Sequence, residues 1–201
     1  MSSRPFSEDE YAAIIARLAA EGRLRDKLMV TLGCATGFRI TELLSLTIGQ
    51  VWDKDGAARE VTVARRNLKG GKGAHCRAVR GRRVPLSESA RAAIQEYLGV
   101  LGTNPPLDRP LFATSRSADR PIHRVQAHRI LVAVTEACGF DSTRISTHAL
   151  RKTFVARVWR ASKGDLIKTQ RIVGHASPMT TARYLETDQN ELDQLVRTLA
   201  A

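Results

Sequence analysis

The chain has 201 residues, 43% of them hydrophobic, which is enough for the core of one large or two small domains and argues against disorder. Its 32 lysine and arginine residues and 20 aspartate and glutamate residues give a formal net charge of +12, which favours a polyanionic partner. Three cysteines without a C-x-x-C pair argue against a zinc site and against a secreted disulfide framework, and no apolar run reaches the length of a membrane span, so the sequence predicts an intracellular protein.

The first predicted elements are helices. Ser7-Glu8-Asp9-Glu10 has the capping-box pattern, and apolar residues at helical spacing follow it. Arg25 to about Thr36 is predicted to be a second, buried helix that ends at Gly37, and a short third helix covers Ile40 to Leu46. Arg39 lies between these two helices and, taken alone, would be an exposed or helix-capping arginine.

A basic β-hairpin is predicted between about residues 60 and 86, where two strands flank a glycine-rich tip. No acidic residue occurs from Val61 to Ser87, whereas the cationic residues are Arg65, Arg66, Lys69, Lys72, Arg77, Arg80, Arg82 and Arg83. This charge predicts a DNA-facing hairpin. The G-x-x-x-x-G-K-[ST] pattern of nucleotide-binding loops is absent from the chain, so no nucleotide cofactor is predicted.

Two further amphipathic helices are predicted, one starting at Ser87-Glu88 and one running from the region of Val125 to Gly139. The segment from Gly102 to Pro110 between them is rich in glycine and proline and is predicted to be a surface loop. His123 and His128 are predicted to be surface residues, because no carboxylate or cysteine stands at ligand spacing from them.

The last quarter of the chain holds the strongest candidates for chemistry. His148 and Arg151 stand three residues apart at the start of a predicted helix, so both side chains can donate to the same anion. Gly174-His175-Ala176-Ser177-Pro178 predicts a turn into a new helix, because serine is a frequent N-cap and proline a frequent first helical residue. Tyr184 follows about two turns later. This spacing can bring an imidazole and a phenol near one another, with a helix N-terminus close by that also favours an anion.

Three of these segments resemble the motifs of tyrosine recombinases, the family that includes phage integrases, Xer-type recombinases and fimbrial invertases. His148-Ala149-Leu150-Arg151 is similar to the H-x-L-R segment of that family, and Ile172 to Tyr184 is similar to its L-G-H-x-s-x-x-T-T-x-x-Y segment. Thr36 to Leu46 is similar to its T-G-x-R-i-x-E-l-l-x-L segment, with Arg39 at the first catalytic arginine. The resemblance runs from about residue 7 to about residue 190.

The resemblance implies the catalytic-domain fold of that family, mainly α with a small antiparallel β-sheet. It also implies a site-specific DNA recombinase of mobile elements that performs integration, excision or inversion without a metal ion or cofactor. The catalytic residues implied are Arg39, Lys69, His148, Arg151, His175 and Tyr184, with Glu42 in a supporting position.

The resemblance assigns a role to each catalytic residue. Tyr184 attacks the scissile phosphate, expels a 5′ hydroxyl and remains in a 3′-phosphotyrosyl link, while two arginines and His175 stabilise the developing charge. His148 is the candidate general base. A hairpin lysine is the candidate general acid, with Lys69 taken over Lys72.

The resemblance also implies an organisation and partners. We expect one catalytic domain over residues 1–201 that lacks the N-terminal core-binding domain of most relatives, either as a fragment or as a small single-domain member. A C-terminal helix at about residues 189–199 is expected to dock onto a neighbouring protomer in a tetramer on double-stranded DNA. The expected location is the cytoplasm of a prokaryotic or phage-infected cell, at the nucleoid.

Two alternatives remain open from the sequence. A DNA-relaxing enzyme of the type IB topoisomerase kind would use the same nucleophile and arginines without exchanging partners. A non-catalytic DNA-binding module would have kept the fold without the chemistry, although Arg39, Arg151, His175 and Tyr184 argue against this alternative.

Overall fold

The computed structural model describes residues 3–54, 56–64, 81–102, 105–175, 177–185 and 196–198. The chain forms two compact units, Met1–Phe154 and Val155–Ala201. Both are built mainly from helices, and the described strands form small antiparallel sheets in the first unit. The predicted fold class, mainly α with a small antiparallel β-sheet, is therefore confirmed.

The first unit contains most of the regular structure. Its elements in chain order are α1 (Glu8–Ala20), α2 (Leu24–Thr36), α3 (Ile40–Leu44), a 3-10 turn (Ile48–Gln50), β1 (Trp52–Asp53), β2 (Gly56–Ala57), β3 (Glu60–Val63), β4 (Arg82–Pro85), α4 (Glu88–Gly99), β5 (Ala113–Thr114), β6 (Ser117–Pro121) and α5 (Arg124–Ala137). Helix α6 (His148–Ala161) begins in this unit and ends in the second one. The core collects the apolar faces of these helices around α2, which packs against α1, α3 and α4.

Local sequence signals account for the ends of the first helices. The Ser7 hydroxyl accepts from the Glu10 amide at 3.1 Å, and the Glu10 carboxylate accepts from the Ser7 amide at 2.8 Å, so the predicted capping box forms. Helix α2 ends at Gly37 as predicted. Helix α3 ends at Leu44, two residues earlier than predicted, because the amides of Ser45 and Leu46 donate to the carbonyls three residues back, Glu42 and Leu43, both at 3.2 Å, and so tighten and close the last turn.

Glycine is required at position 37, both by the backbone conformation there and by a neighbouring side chain. Its φ of +61° lies in the left-handed region, which costs a residue with a Cβ about 1–2 kcal/mol. A Cβ at this position would also collide with the ring of Phe154. The turn that follows α2, directly before Arg39, therefore has room only for glycine.

Replacing Gly37 by alanine is expected to lower the free energy of unfolding by more than ~2 kcal/mol, because backbone strain and the collision with Phe154 add. Urea unfolding of the purified variant measures this loss. Gly22→Ala is the matched control, since Gly22 has a φ of +64° but a Cβ there would meet no atom within 4 Å. Equal losses in both variants would show that the Phe154 contact contributes nothing.

The predicted hairpin region contains two paired strands. β3 and β4 are antiparallel, with Val61 opposite Val84 and Val63 opposite Arg82. Their alternating burial places the valines in the core. The tip, residues 65–80, lies outside the described residues, and with it Arg65, Arg66, Lys69, Lys72, Arg77 and Arg80.

The second unit continues from α6 into α7 (Leu166–Val173) and α8 (Pro178–Ala182). Ser177 caps α8 by accepting from the Met179 amide at 3.2 Å, and Pro178 is its first residue, as the sequence predicts. Helix α7 was not predicted. Of the expected C-terminal helix at about 189–199, only residues 196–198 are described, and they are helical. Within the described ranges, no helix is both long enough and apolar enough to span a membrane.

Candidate active site

Arg39 stands at the N-terminus of α3 and is held by a buried carboxylate. The Glu42 side chain, 1% exposed, accepts from the Arg39 amide and from Arg39 Nη1, both at 2.8 Å. The Arg39 side chain remains 39% exposed, so its remaining donors can reach a ligand. Glu42 therefore holds the Arg39 guanidinium on the side of the fold interior.

Arg151, on helix α6, contacts the turn that joins α2 to Arg39. It is one of the largest fully buried side chains, 2% exposed, and its Nη1 donates to the carbonyl of Gly37. Arg39 follows Gly37 by two residues, so a single turn at the end of α2 positions both arginines. His148, the first residue of α6, lies one helical turn before Arg151.

A cavity of about 470 Å³ opens between these residues in the first unit. Arg39, His148 and Arg151 line it together. Arg124 and His128 from the first turns of α5 also line it. Among the described lining residues none is acidic, so the cavity is suited to an anion.

The environment of His148 favours its neutral form. Burial lowers the pKa of the imidazole, and the positive charges of Arg151, Arg39 and Lys152 lower it further. A neutral imidazole has one ring nitrogen available as an acceptor. At neutral pH, His148 is therefore in the form that can accept a proton from a reacting group.

Arg82 and Arg83 are adjacent on β4 and lie in different environments. The Arg83 side chain is 71% exposed and pairs with Glu60 at 2.6 Å. Arg82 is partly buried, donates to the Thr36 carbonyl at 2.9 Å and lies 5.2 Å from the centre of the Phe38 ring. Burial lowers the pKa of its guanidinium to about 10, and the charges of Arg151 and Arg39 act in the same direction.

The second unit brings His175 and Tyr184 together. Their ring centroids are 4.9 Å apart, with an angle of 42° between the ring planes. His175 Nδ1 lies 2.9 Å from the hydroxyl of Thr181, which is fully buried. The side-chain amide of Gln170 donates a hydrogen bond to the backbone carbonyl of His175 at 2.7 Å. The imidazole and the phenol are therefore placed side by side by residues of α7 and α8.

The structure thus places the predicted residues in separate groups. Arg39, Glu42, Arg82, His148 and Arg151 belong to the first unit, and His175 and Tyr184 belong to the second. Lys69, the predicted general acid, lies outside the described residues, as does the alternative Lys72.

Sequence reasoning missed three residues. The sequence analysis assigns no role to Arg124, and it predicts His128 to be a surface residue because no carboxylate or cysteine stands at ligand spacing from it. His128 is exposed as predicted, but both residues line the cavity, and their i, i+4 spacing indicates a shared helix face. Thr181 was part of the T-T motif, but its hydrogen bond to the imidazole of His175 could not be foreseen.

The sequence of this chain is similar to one family of known proteins. The family model described as "Phage integrase family" matches residues 4–191. The "Probable integrase/recombinase YoeC" of Bacillus subtilis is 31% identical over 166 residues, which cover 83% of this chain and 80% of that protein. The "Tyrosine recombinase XerD" of Yersinia pestis is 33% identical over 180 residues, which cover 86% of this chain and 53% of that protein.

Solved structures show the same fold. The crystal structure of XerA recombinase superposes with a TM-score of 0.73 and 25% identity, covering 100% of this chain and 65% of that one. XerH site-specific recombinase bound to a palindromic difH substrate gives a TM-score of 0.71 at 21% identity, covering 100% of this chain and 54% of that one. The chain spans about half the length of the XerC and XerD relatives it matches.

Proposed function

Because the chain belongs to the phage integrase family, we propose that it is a site-specific DNA recombinase that forms a 3′-phosphotyrosyl intermediate. The observation that carries the proposal is the cavity in which Arg39, Arg151 and His148 meet. A scissile phosphate fits this cavity, because two guanidinium groups can donate to its non-bridging oxygens.

Tyr184 is the proposed nucleophile. Its phenolic oxygen forms a bond to the phosphorus while the bond from phosphorus to the 5′ oxygen breaks. The 5′ hydroxyl of another strand then reverses this step and displaces the tyrosine. The energy of the phosphodiester is kept in the covalent link, so no nucleotide cofactor is needed.

Charge stabilisation is the main contribution of the protein. Negative charge grows on the phosphate oxygens as the phosphorus becomes pentacovalent, and donors fixed in advance stabilise it. Arg39 is fixed by Glu42, and Arg151 by the carbonyl of Gly37. His175 Nδ1 is engaged by Thr181, so Nε2 is the ring nitrogen proposed to donate to the phosphate.

Proton transfers complete the reaction. His148, whose lowered pKa keeps it neutral, takes the proton of the Tyr184 hydroxyl as general base. A lysine of the hairpin, Lys69 rather than Lys72, gives a proton to the departing 5′ oxygen. Both lysines follow β3, the strand that leads into the hairpin tip.

The rate of covalent attachment at low DNA concentration is expected to stay high as the pH falls through about 6.5, the ordinary pKa of histidine, and to decline only below it. The reason is that the pKa of His148 in the free protein is lowered, so its neutral form persists in weak acid. Single-turnover rates across pH 5–8 measure this. In His148→Gln, any residual activity should lack this acid limb, and a limb above 6.5 in the wild type would contradict the assignment.

Recovery of protein-linked DNA tests the proposal. The protein is mixed with sheared DNA from its source in the presence of a chelator, denatured abruptly, and the ends of linked fragments are sequenced. Discrete ends linked through a 3′ phosphate are the expected result. Scattered ends would favour a relaxing enzyme of the type IB topoisomerase kind. Linked DNA that forms without the chelator but not in its presence would contradict the metal-independent mechanism.

The proposed partners are double-stranded DNA and further copies of the chain. The charge of +12, the cationic hairpin sequence and the exposed Arg83 support DNA binding. We further propose a tetramer on DNA, coupled through the C-terminal segment at about residues 189–199. The cytoplasm, at the nucleoid, is the proposed location, and integration, excision or inversion of a mobile element is the proposed outcome.

A further inference from the structure

Neighbouring residues on a β-strand point to opposite faces, and this separates the two arginines of β4. Arg83 extends to the surface, where it pairs with Glu60. Arg82 turns inward to the end of α2, where its two terminal nitrogens donate to the carbonyls of Thr36 at 2.9 Å and Gly37 at 3.4 Å. A part of the cationic hairpin region is therefore directed at the protein instead of at a ligand.

The end of α2 is a favourable place for a cation. The last carbonyls of a helix have no partner within the helix, and the helix dipole is negative at this end. Arg82 satisfies two such carbonyls and packs its guanidinium on the Phe38 ring, 5.2 Å from the ring centre. The contact connects β4 to the turn that leads into Arg39.

The same turn also receives Arg151. The Gly37 carbonyl accepts from both Arg82 and Arg151, which are far apart in the sequence. Three guanidinium groups thus meet around residues 36–39, and Glu42 is the carboxylate next to them. The positive charges of these three neighbouring guanidinium groups repel one another, and an anion bound in the adjacent cavity would reduce this repulsion.

We propose that Arg82 is a positioning residue for cleavage, which braces the Thr36–Arg39 turn and adds positive charge beside Arg39 and Arg151. This inference rests on the proposed recombinase function. It assigns Arg82 to the orientation of the two catalytic arginines, and it removes Arg82 from the residues expected to contact DNA.

Two variants separate the hydrogen bonds from the charge. Arg82→Gln keeps a donor for the Thr36 carbonyl but loses the charge, whereas Arg82→Lys keeps the charge. We expect Arg82→Gln to slow covalent attachment at saturating DNA by ~10–100-fold with little change in DNA affinity, as for residues that orient reactive groups. Arg82→Lys should recover part of this loss.

Arg91→Gln is the matched control for a bracing arginine. Arg91 donates its Nε to the Ala57 carbonyl at 3.1 Å, away from the cavity, so its loss should leave the attachment rate unchanged. Arg83→Gln is the comparison for a DNA contact and should weaken DNA binding and its dependence on salt. Melting temperatures of all variants report on folding.

Three results would overturn the inference. The first is wild-type rates in both Arg82 variants. The second is a loss of affinity in Arg82→Gln that matches Arg83→Gln while the rate at saturating DNA stays normal. The third is an equal loss of rate in both Arg82 variants that follows their melting temperatures, which would show a purely structural role. Failure of the wild-type protein to form any link would instead refute the proposed function, and this inference with it.

Discussion

Tyr184→Phe is expected to abolish covalent attachment to DNA while leaving DNA binding nearly unchanged. The substitution removes only the phenolic oxygen, which is the atom that would join the phosphorus. The ring that packs beside His175, with centroids 4.9 Å apart, is retained, so the local structure should persist. Labelled DNA that stays with the protein after denaturation measures attachment, and a binding titration measures affinity.

The other two tyrosines provide the controls. Tyr97 is 6% exposed in the core of the first unit, and burial raises the pKa of its hydroxyl, so it is a poor nucleophile. Tyr11 lies on α1 and packs against the core. Tyr11→Phe should therefore retain attachment. Attachment that persists in Tyr184→Phe would place the nucleophile elsewhere and reject the proposed mechanism.

Arg39→Lys is expected to reduce the rate of attachment by on the order of 10²–10³-fold, the effect of removing one preorganised donor from a developing anion. Lysine keeps the charge but loses the planar fork, which lets Arg39 donate to Glu42 with Nη1 while its other nitrogens face the cavity. A lysine ammonium cannot hold both positions. Single-turnover rates at saturating DNA test this expectation.

Arg4→Lys is the matched control for this substitution. Arg4 also pairs with a nearly buried glutamate in a capping box, Glu10, at 2.6 Å, and it does not line the cavity. The Arg4→Lys substitution should therefore leave the rate of covalent attachment unchanged, even if it lowers the stability of the fold. Comparable losses of rate in both variants would show that Arg39 acts through the fold and does not contact the phosphate.

Much of the fold could be predicted because the signals are local. The capping box at Ser7, the glycine stop at Gly37 and the Ser177-Pro178 helix start each depend on residues within about one turn of each other. The strands of the hairpin region followed from composition in the same way. The end of α3 lies two residues before the predicted one, because the amides of Ser45 and Leu46 close the last turn with bonds three residues back, which the apolar spacing of the sequence does not reveal.

Most helical segments, the family resemblance and the candidate residues for catalysis could be inferred from the sequence, although helix α7 could not. The way in which these residues are held depends on the folded chain, because the contacts join distant segments. Arg151 meets Gly37 across a sequence separation of 114 residues, and Arg82 meets Thr36 across 46. The lowered pKa of His148 likewise arises from burial and from charges that the fold brings to it. Side-chain direction and electrostatic environment depend on such contacts, which no local pattern records.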